Sequence, residues 1–157
     1  MIKRIVERVA NALSATEAQQ PDPVQREHAI RMATAVLMVD VARADNQFDE
    51  KEFNLLLELI ERHFELTADE AGELAVAADA KAEEMVEVYG FTQLLHEHLS
   101  EDEKSRVVAL LWKVAYADGR LSRYEDSLVL KISDLLYVNR ARVMRLKHDA
   151  REAADSV

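Results

Sequence analysis

The fold is decided by residues 110–136, which read LLWKVAYADGRLSRYEDSLVLKISDLL. The apolar first part of this stretch indicates the end of a buried helix. Asp118 and Gly119 indicate a break, because Asp-Gly is a strong turn signal. Ser122 and Glu125 have the spacing of a capping box, which marks the start of the next helix. The stretch therefore predicts a helix–turn–helix unit.

A second copy of the same pattern lies earlier in the chain, at residues 37–64, which read LMVDVARADNQFDEKEFNLLLELIERHF. The two copies align 73 residues apart without a gap through the turn, so that Asp45 pairs with Asp118 and Glu52 with Glu125. This duplication predicts two pseudo-symmetric helix–turn–helix repeats. The repeats span about residues 37–74 and 110–146.

The composition favours an all-α fold, because 49% of the residues are hydrophobic and only 3 Gly and 2 Pro interrupt the chain. We predict a compact bundle of seven or eight helices. Cys is absent, which excludes disulfides and thiolate ligands and fits a cytoplasmic protein. The net charge of −10 argues against nucleic-acid binding, which needs a basic surface.

Two units are predicted along the chain. Residues 1–23 comprise an amphipathic helix over residues 2–13, with a basic side, and a polar linker that contains both prolines. This helix would either make a peripheral membrane contact or dock on the body of the protein. Residues 24–157 form the helical domain. No apolar run reaches 18 residues, so no transmembrane segment is predicted.

Capping boxes at Thr67/Glu70 and Ser100/Glu103 begin two helices of this domain, and Asn139 caps the last one. A polar break is expected at residues 79–84. The predicted helices span about residues 24–44, 50–64, 68–78, 84–98, 101–117, 123–136 and 140–153. The core stripe of the helix at residues 84–98 includes Met85.

The two turns contain the candidate site. Capping explains Asp49 and Ser122, which precede their helices, and a left-handed turn residue explains Gly119 and its equivalent Asn46. Phe48 is placed for a hydrophobic staple. Capping does not explain an acid at the end of the preceding helix, where the helix dipole disfavours negative charge.

That unexplained acid is Asp45 in the first copy and Asp118 in the second. One interpretation is turn chemistry, in which the carboxylate bonds its own backbone. The other is that Asp45, Glu52, Asp118 and Glu125 meet as an oxygen cluster for a divalent cation, Ca²⁺, Mg²⁺ or Mn²⁺. Neither turn is an EF-hand, since the loop starting at Asp45 has Glu50 where Gly is required.

A half-enclosed position on the second helix holds another acid, Asp40. A buried carboxylate needs a partner. The repeat equivalent of Asp40 is Lys113, which predicts a contact between the two side chains.

Three motifs of the second half, together with the Tyr124-Glu125 pair, resemble the TerB-like family, which is similar to the tellurite-resistance protein TerB and to domains that precede some membrane-bound J-domain co-chaperones. The motifs are YGFTQLLHEHL (residues 89–99), LWKVAYADG (residues 111–119) and DLLY (residues 134–137). The resemblance covers about residues 25–150 and implies an all-helical fold with internal two-fold pseudo-symmetry. It also implies a metal-binding acidic cluster at Asp118 and Glu125 and, through the repeat, at Asp45 and Glu52.

The sequence contains no catalytic motif. We therefore predict a non-enzymatic, cytoplasmic interaction or sensing module that acts with a protein partner in the response to tellurite or envelope stress. A divalent cation at the acidic cluster would bias that interaction. One alternative is a metal-dependent hydrolase that uses the same carboxylates. The other is an ion-free structural adaptor with an exposed apolar surface.

Overall fold

A computed structural model of the protein describes residues 22–45, 48–84, 88–117 and 119–155. Over these residues the chain forms seven helices and no strand. The helices are α1 (Pro23–Ala42), α2 (Glu50–Phe64), α3 (Ala68–Glu84), α4 (Tyr89–His98), α5 (Glu101–Ala115), α6 (Arg123–Leu135) and α7 (Arg140–Asp155). The predicted all-α bundle is confirmed.

Helix α1 forms the centre of the core. Every residue from Met32 to Val39 is buried, so the helix is enclosed on all sides, as an apolar helix must be. It packs against α2, α3, α4, α5 and α6. Helix α5 is the second central element, because it packs against α1, α2, α6 and α7. Its fully buried Trp112 donates the indole N–H to the carbonyl of Val143 on α7, at 3.2 Å.

Polar caps define where the helices begin. The predicted capping boxes are present at Ser100/Glu103 and at Thr67/Glu70, where the Glu70 carboxylate accepts from the Thr67 N–H at 3.0 Å. Asn139 caps α7 by accepting from the N–H of residue 141 at 2.9 Å. Each cap satisfies an N–H group that the first helical turn leaves without a partner.

Two helices end in the same way. Glu65 after α2 and Tyr137 after the last turn of α6 both adopt left-handed backbone conformations, with φ of 54° and 59°. In each case the next N–H closes back on the helix, from Leu66 to Glu61 at 3.0 Å and from Val138 to the carbonyl of residue 133 at 3.1 Å. These turns lie at equivalent positions of the two predicted repeats. The pseudo-symmetry of the whole repeats stays a prediction.

Two predicted boundaries, the end of α3 and the start of α4, are wrong. Helix α3 does not end near Ala78 but continues to Glu84, through the expected break. The reason is that residues 79–84 are mainly Ala, Lys and Glu, which are good helix formers, and no Gly or Pro interrupts them. Helix α4 then begins at Tyr89. Met85 lies outside the described residues.

The predicted helix at residues 2–13 and the linker up to residue 21 also lie outside the described part of the chain. The division into residues 1–23 and 24–157 therefore stays a prediction. Asp22, the first described residue, caps α1 by accepting from the Val24 N–H at 3.1 Å, with Pro23 at the first helical position. None of the described helices is long and apolar enough to cross a membrane.

Candidate metal-binding turns

The second turn, residues 116–122, connects α5 to α6. Gly119 has φ of 80°, as predicted for a left-handed turn residue, and its N–H donates to the Tyr116 carbonyl at 2.9 Å. Ser122 and Glu125 form the predicted capping box. The Ser122 hydroxyl accepts from the Glu125 N–H at 3.1 Å, and the Glu125 carboxylate accepts from the Ser122 N–H at 3.2 Å. This box holds Glu125 at only 5% exposure.

The first turn, residues 43–49, connects α1 to α2 and is built differently. Asp49 caps α2 by accepting from the Glu52 N–H at 2.9 Å. The predicted hydrophobic staple is present, because the rings of Phe48 and Phe53 lie 6.0 Å apart between centroids. Glu52 is half-buried, in contrast to the buried Glu125.

Arg43 connects the first turn to α3 through hydrogen bonds and ion pairs. Arg43 donates to the Asp79 carboxylate at 2.8 Å and to the Asp79 carbonyl at 3.4 Å, and its second terminal nitrogen lies 3.5 Å from Glu83. These three residues and Phe48 line a polar cleft of about 340 Å³. Sequence reasoning missed this ion pair, since its partners are 36 residues apart and no local spacing relates them.

The structure places three of the four predicted ligands. Asp45 is half-buried just beyond the end of α1, Glu52 lies in the first turn of α2, and Glu125 is buried in the first turn of α6. Asp118 lies outside the described residues, as does Asn46. Within the described residues, no three His, Asp or Glu side chains form a group that could hold a metal ion. The four-residue site therefore stays a prediction.

The types of donor in that prediction do fit a hard divalent cation, because all four are carboxylates. Among the described residues, however, no three carboxylates lie close enough together to bind one ion. Any such site at the second turn would use Glu125 together with Asp118.

The cations that act on Asp40 are not the one that the sequence predicted, which was Lys113. Burial raises the pKa of Asp40, while the nearby cations Lys131 and Arg43 act in the opposite direction. Burial lowers the pKa of the His63 imidazole, and the positive charges of Arg106 and Lys113 lower it further. Lys113 is exposed, and the cations that lower the pKa of Asp40 are Lys131 and Arg43, so Lys113 is not the counter-ion that the repeat alignment suggested.

Comparison with known proteins identifies one family. No curated protein and no solved structure matches the chain. A family model described as tellurite resistance protein TerB matches residues 31–148, which include both turns and all or most of each of the seven described helices. Since this match covers well over half of the sequence, the chain belongs to the TerB family.

Proposed function

We propose that this protein is a non-enzymatic, cytoplasmic TerB-family module that interacts with a protein partner in the response to tellurite or envelope stress. A divalent cation, Ca²⁺, Mg²⁺ or Mn²⁺, binds at the acidic turns and biases that interaction. Family membership supports the broad class of function. The carboxylates of the two turns support the cation, because hard cations prefer oxygen ligands.

The buried carboxylate of Glu125 is the observation on which this proposal chiefly rests. Burial at 5% exposure and the bond from the Ser122 N–H hold this carboxylate in one position, and a preorganised ligand must be held in this way. A cation bound between Glu125 and Asp118 would add positive charge at the same place. It would also link the residues on either side of Gly119, which loses more conformational entropy on ordering than any other residue type.

A bound cation would act on a surface suited to protein contacts. Tyr124 precedes Glu125 and is exposed. The Arg123 guanidinium lies over the Tyr124 ring at 5.1 Å from its centroid and donates to its hydroxyl at 3.1 Å. Tyr and Arg are enriched among the residues that dominate binding energy at interfaces. A cation at Glu125 would therefore lie directly beside a pair of residues suited to a partner.

The hydrolase alternative uses the same carboxylates and needs an open cleft and a general base beside the metal. The cleft at the first turn is less suitable, because Arg43 already engages the carboxylates of Asp79 and Glu83. Hydrolysis of a phosphoester or peptide substrate that requires both a divalent cation and Glu125 would favour this alternative.

The adaptor alternative needs a contiguous exposed apolar surface, and several large apolar side chains are exposed on the described helices and turns. They are Val24, Val76, Tyr89, Tyr124, Tyr137 and Met144. These residues are distributed over five helices and a turn. Partner binding that persists in chelator would support this alternative.

The test is a thermal-shift series on chelator-treated protein with Ca²⁺, Mg²⁺ and Mn²⁺. A specific ion at 100 times its Kd stabilises a protein by about 2.7 kcal/mol. For a chain of this size the melting temperature should rise by roughly 5–10 °C. The decisive variants are Asp118→Asn and Glu125→Gln. Gln still forms a capping box, so Glu125→Gln removes the charge and preserves the cap.

The matched control is Asp126→Asn, which changes the neighbouring acid, is not a predicted ligand and breaks an ion pair with Lys147. We expect this variant to keep the ion-induced shift, whereas Asp118→Asn and Glu125→Gln lose it. A wild-type protein that shifts with none of the ions contradicts the cation site. An equal shift in Glu125→Gln would move the site away from the second turn.

A further inference from the structure

The outward face of α3 carries a large apolar side chain that the bundle does not cover. Val76, in the middle of this helix, is 62% exposed. Ala80 lies one turn further along on the same face. The opposite face of α3 packs against α1 and α2 and contains its buried residues, which are Ala71, Leu74, Ala75 and Ala78. The face around Val76 is therefore open to an occupant.

Acidic side chains surround Val76 on this face. Helix α3 contains six acids and a single lysine. Asp69 and Glu73 lie toward its amino end and Glu84 lies at its carboxyl end, and all three are exposed. Within the described ranges of the chain, these three acids form no ion pair, in contrast to the two acids of α3 that pair with Arg43. An apolar centre between unpaired acids favours an occupant that is both apolar and basic.

The other exposed large apolar side chains have different surroundings. Four of the five have an arginine within three positions along the chain, which disfavours a basic occupant. The fifth, Tyr89, is the first residue of α4, where the positive end of the helix dipole also disfavours a cation. The five side chains are Val24, Tyr89, Tyr124, Tyr137 and Met144. Of the exposed apolar sites, the one at Val76 therefore fits a basic segment best.

The chain itself contains a segment of complementary composition. The predicted amphipathic helix at residues 2–13 has a single acid and three basic residues, Lys3, Arg4 and Arg8. An aliphatic stripe of this size needs an apolar surface to cover it. The stripe consists of Ile2, Ile5, Val6, Val9 and Leu13.

The length of the chain before α1 allows this segment to reach α3. Helices α1 and α3 pack together, and Arg43 at the end of α1 donates to Asp79 in the last part of α3 at 2.8 Å. The two helices therefore run side by side in the same direction, and the rise of a helix places the start of α3 about 15 Å along α1 from Asp22. When extended, residues 14–21 span up to about 26 Å, so Leu13 can lie at the start of α3.

We propose that residues 2–13 dock as a helix on the outward face of α3, with their aliphatic stripe on Val76 and Ala80 and their basic side chains beside the acids. A helix of this length spans about 18 Å, which extends from the start of α3 past Val76. Because Leu13 lies nearest to the start of α3, the two helices are antiparallel, and Arg8 is then level with Glu73. Antiparallel packing also places opposite ends of the two helix dipoles together.

The absence of Cys from the chain allows a nitroxide to be attached at one chosen position. One label is placed at Lys81→Cys, beside the docking face, and a control label at Met144→Cys on α7, where the side chain is exposed. Helix α3 packs on α1 and α2, whereas α7 packs on α5 and α6, so the two labels lie on different parts of the bundle. NMR of the full chain compares the amide signals of residues 2–13 with each nitroxide oxidised and reduced.

We expect the label at position 81 to remove most of the intensity of these signals, and the label at position 144 to leave them unchanged. In the chain labelled at position 81, Val76→Lys places a positive charge against the basic segment and should restore the signals. Val24→Lys is the matched control, since it makes the same substitution at another exposed valine, and it should leave the loss unchanged. Signals that the label at position 81 does not affect, or that both lysine variants restore equally, would overturn the proposal.

Two further samples distinguish the other possible occupants of this face and of the segment. A mixture of isotope-labelled chains without nitroxide and nitroxide-labelled chains without isotope reports contact between copies. Loss of the residue 2–13 signals in that mixture would assign the face to a second copy and overturn the proposal. Vesicles of phosphatidylcholine and phosphatidylserine test a membrane contact. If the label at position 81 has no effect and the vesicles alone remove the signals, the segment binds membranes and the proposal is wrong.

Discussion

Phe48 packs on Phe53 at the first turn, whereas at the second turn the position equivalent to Phe53 is Asp126, which pairs with Lys147 on α7 at 2.7 Å. The capping acids of the two turns also differ in their burial. The capping carboxylate of the second turn, Glu125, is buried. Its counterpart in the first turn is half-buried. The first helix–turn–helix unit (α1 and α2) therefore relies on an aromatic staple, and the second unit (α5 and α6) relies on buried and paired polar groups.

The central helices of the two units, α1 and α5, differ in a similar way. Trp112 of α5 occupies the position that Val39 occupies in α1, and both are fully buried. Trp112 also bonds the Val143 carbonyl, and the Lys147 ammonium lies 5.3 Å from the centre of its ring. Helix α7 is thus attached to the second unit by several directional contacts. Equivalent substitutions in the two units should therefore have unequal effects.

The largest difference is expected at the central helices. Trp112→Ala should lower the free energy of unfolding by about 3–5 kcal/mol, because it creates a large cavity. Val39→Ala removes far less apolar volume and should cost about 1–2 kcal/mol. Urea denaturation measures both values. Equal losses would show that the second unit does not depend more strongly on its central residue.

Trp112→Phe separates packing from hydrogen bonding in that comparison. It preserves an aromatic ring but removes the donor to the Val143 carbonyl. We expect a cost of about 1–3 kcal/mol, the range for a buried polar group that loses its partner. A variant as stable as wild type would assign the whole effect of Trp112→Ala to the cavity.

The next difference is expected at the caps. Glu125→Ala removes the acceptor for the Ser122 N–H and should cost about 1–3 kcal/mol. Glu52→Ala changes a half-buried side chain, whose interactions water screens more strongly, and should cost less, about 0.5–1 kcal/mol. Chelator in both measurements separates the cap from any bound cation. A larger loss in Glu52→Ala would reverse the assignment of the stronger cap to the second turn.

The local parts of this comparison could be predicted from the sequence. Ser122 with Glu125, Thr67 with Glu70 and the glycine at position 119 act within a few residues, so their spacing alone indicates the cap or turn. Helix α2 begins and ends at the predicted residues, 50 and 64. The break predicted at residues 79–84 was wrong, because a polar segment without Gly or Pro can remain helical.

The contacts between distant helices could not be predicted in this way. Arg43 meets Asp79, and Lys104 meets His96, only after the helices have packed. The repeat alignment suggested Lys113 as the partner of Asp40, but cations on α6 and at the end of α1 act on that acid. A repeat predicts which backbone positions correspond. It does not predict partners when the side chains at those positions have diverged.

A smaller difference is expected between the staple and the ion pair. Asp126→Ala should cost about 0.5–1 kcal/mol at low salt, and less in about 1 M NaCl, because salt screens a partly exposed pair. Phe53→Leu should cost about 1 kcal/mol at both salt concentrations, since apolar packing carries no charge. Urea denaturation at the two salt concentrations measures both effects. A salt-independent loss in Asp126→Ala would assign the role of Asp126 to packing.

The smallest effect is expected at Asp40, the half-buried acid of the first unit, whose equivalent Lys113 is exposed. Burial raises the pKa of Asp40, so the native state binds a proton more readily than the unfolded chain. The charged carboxylate therefore lowers stability above its native pKa, and this penalty disappears as the pH falls below about 3.8, the ordinary value. Asp40→Asn should stabilise the protein slightly at pH 7 and not in acid, whereas Lys113→Gln should leave stability at pH 7 nearly unchanged. Urea denaturation at several pH values measures this difference. A loss of stability in Asp40→Asn at pH 7 would mean that attraction to Lys131 and Arg43 outweighs the cost of burial, and that the first unit, like the second, depends on a buried charge.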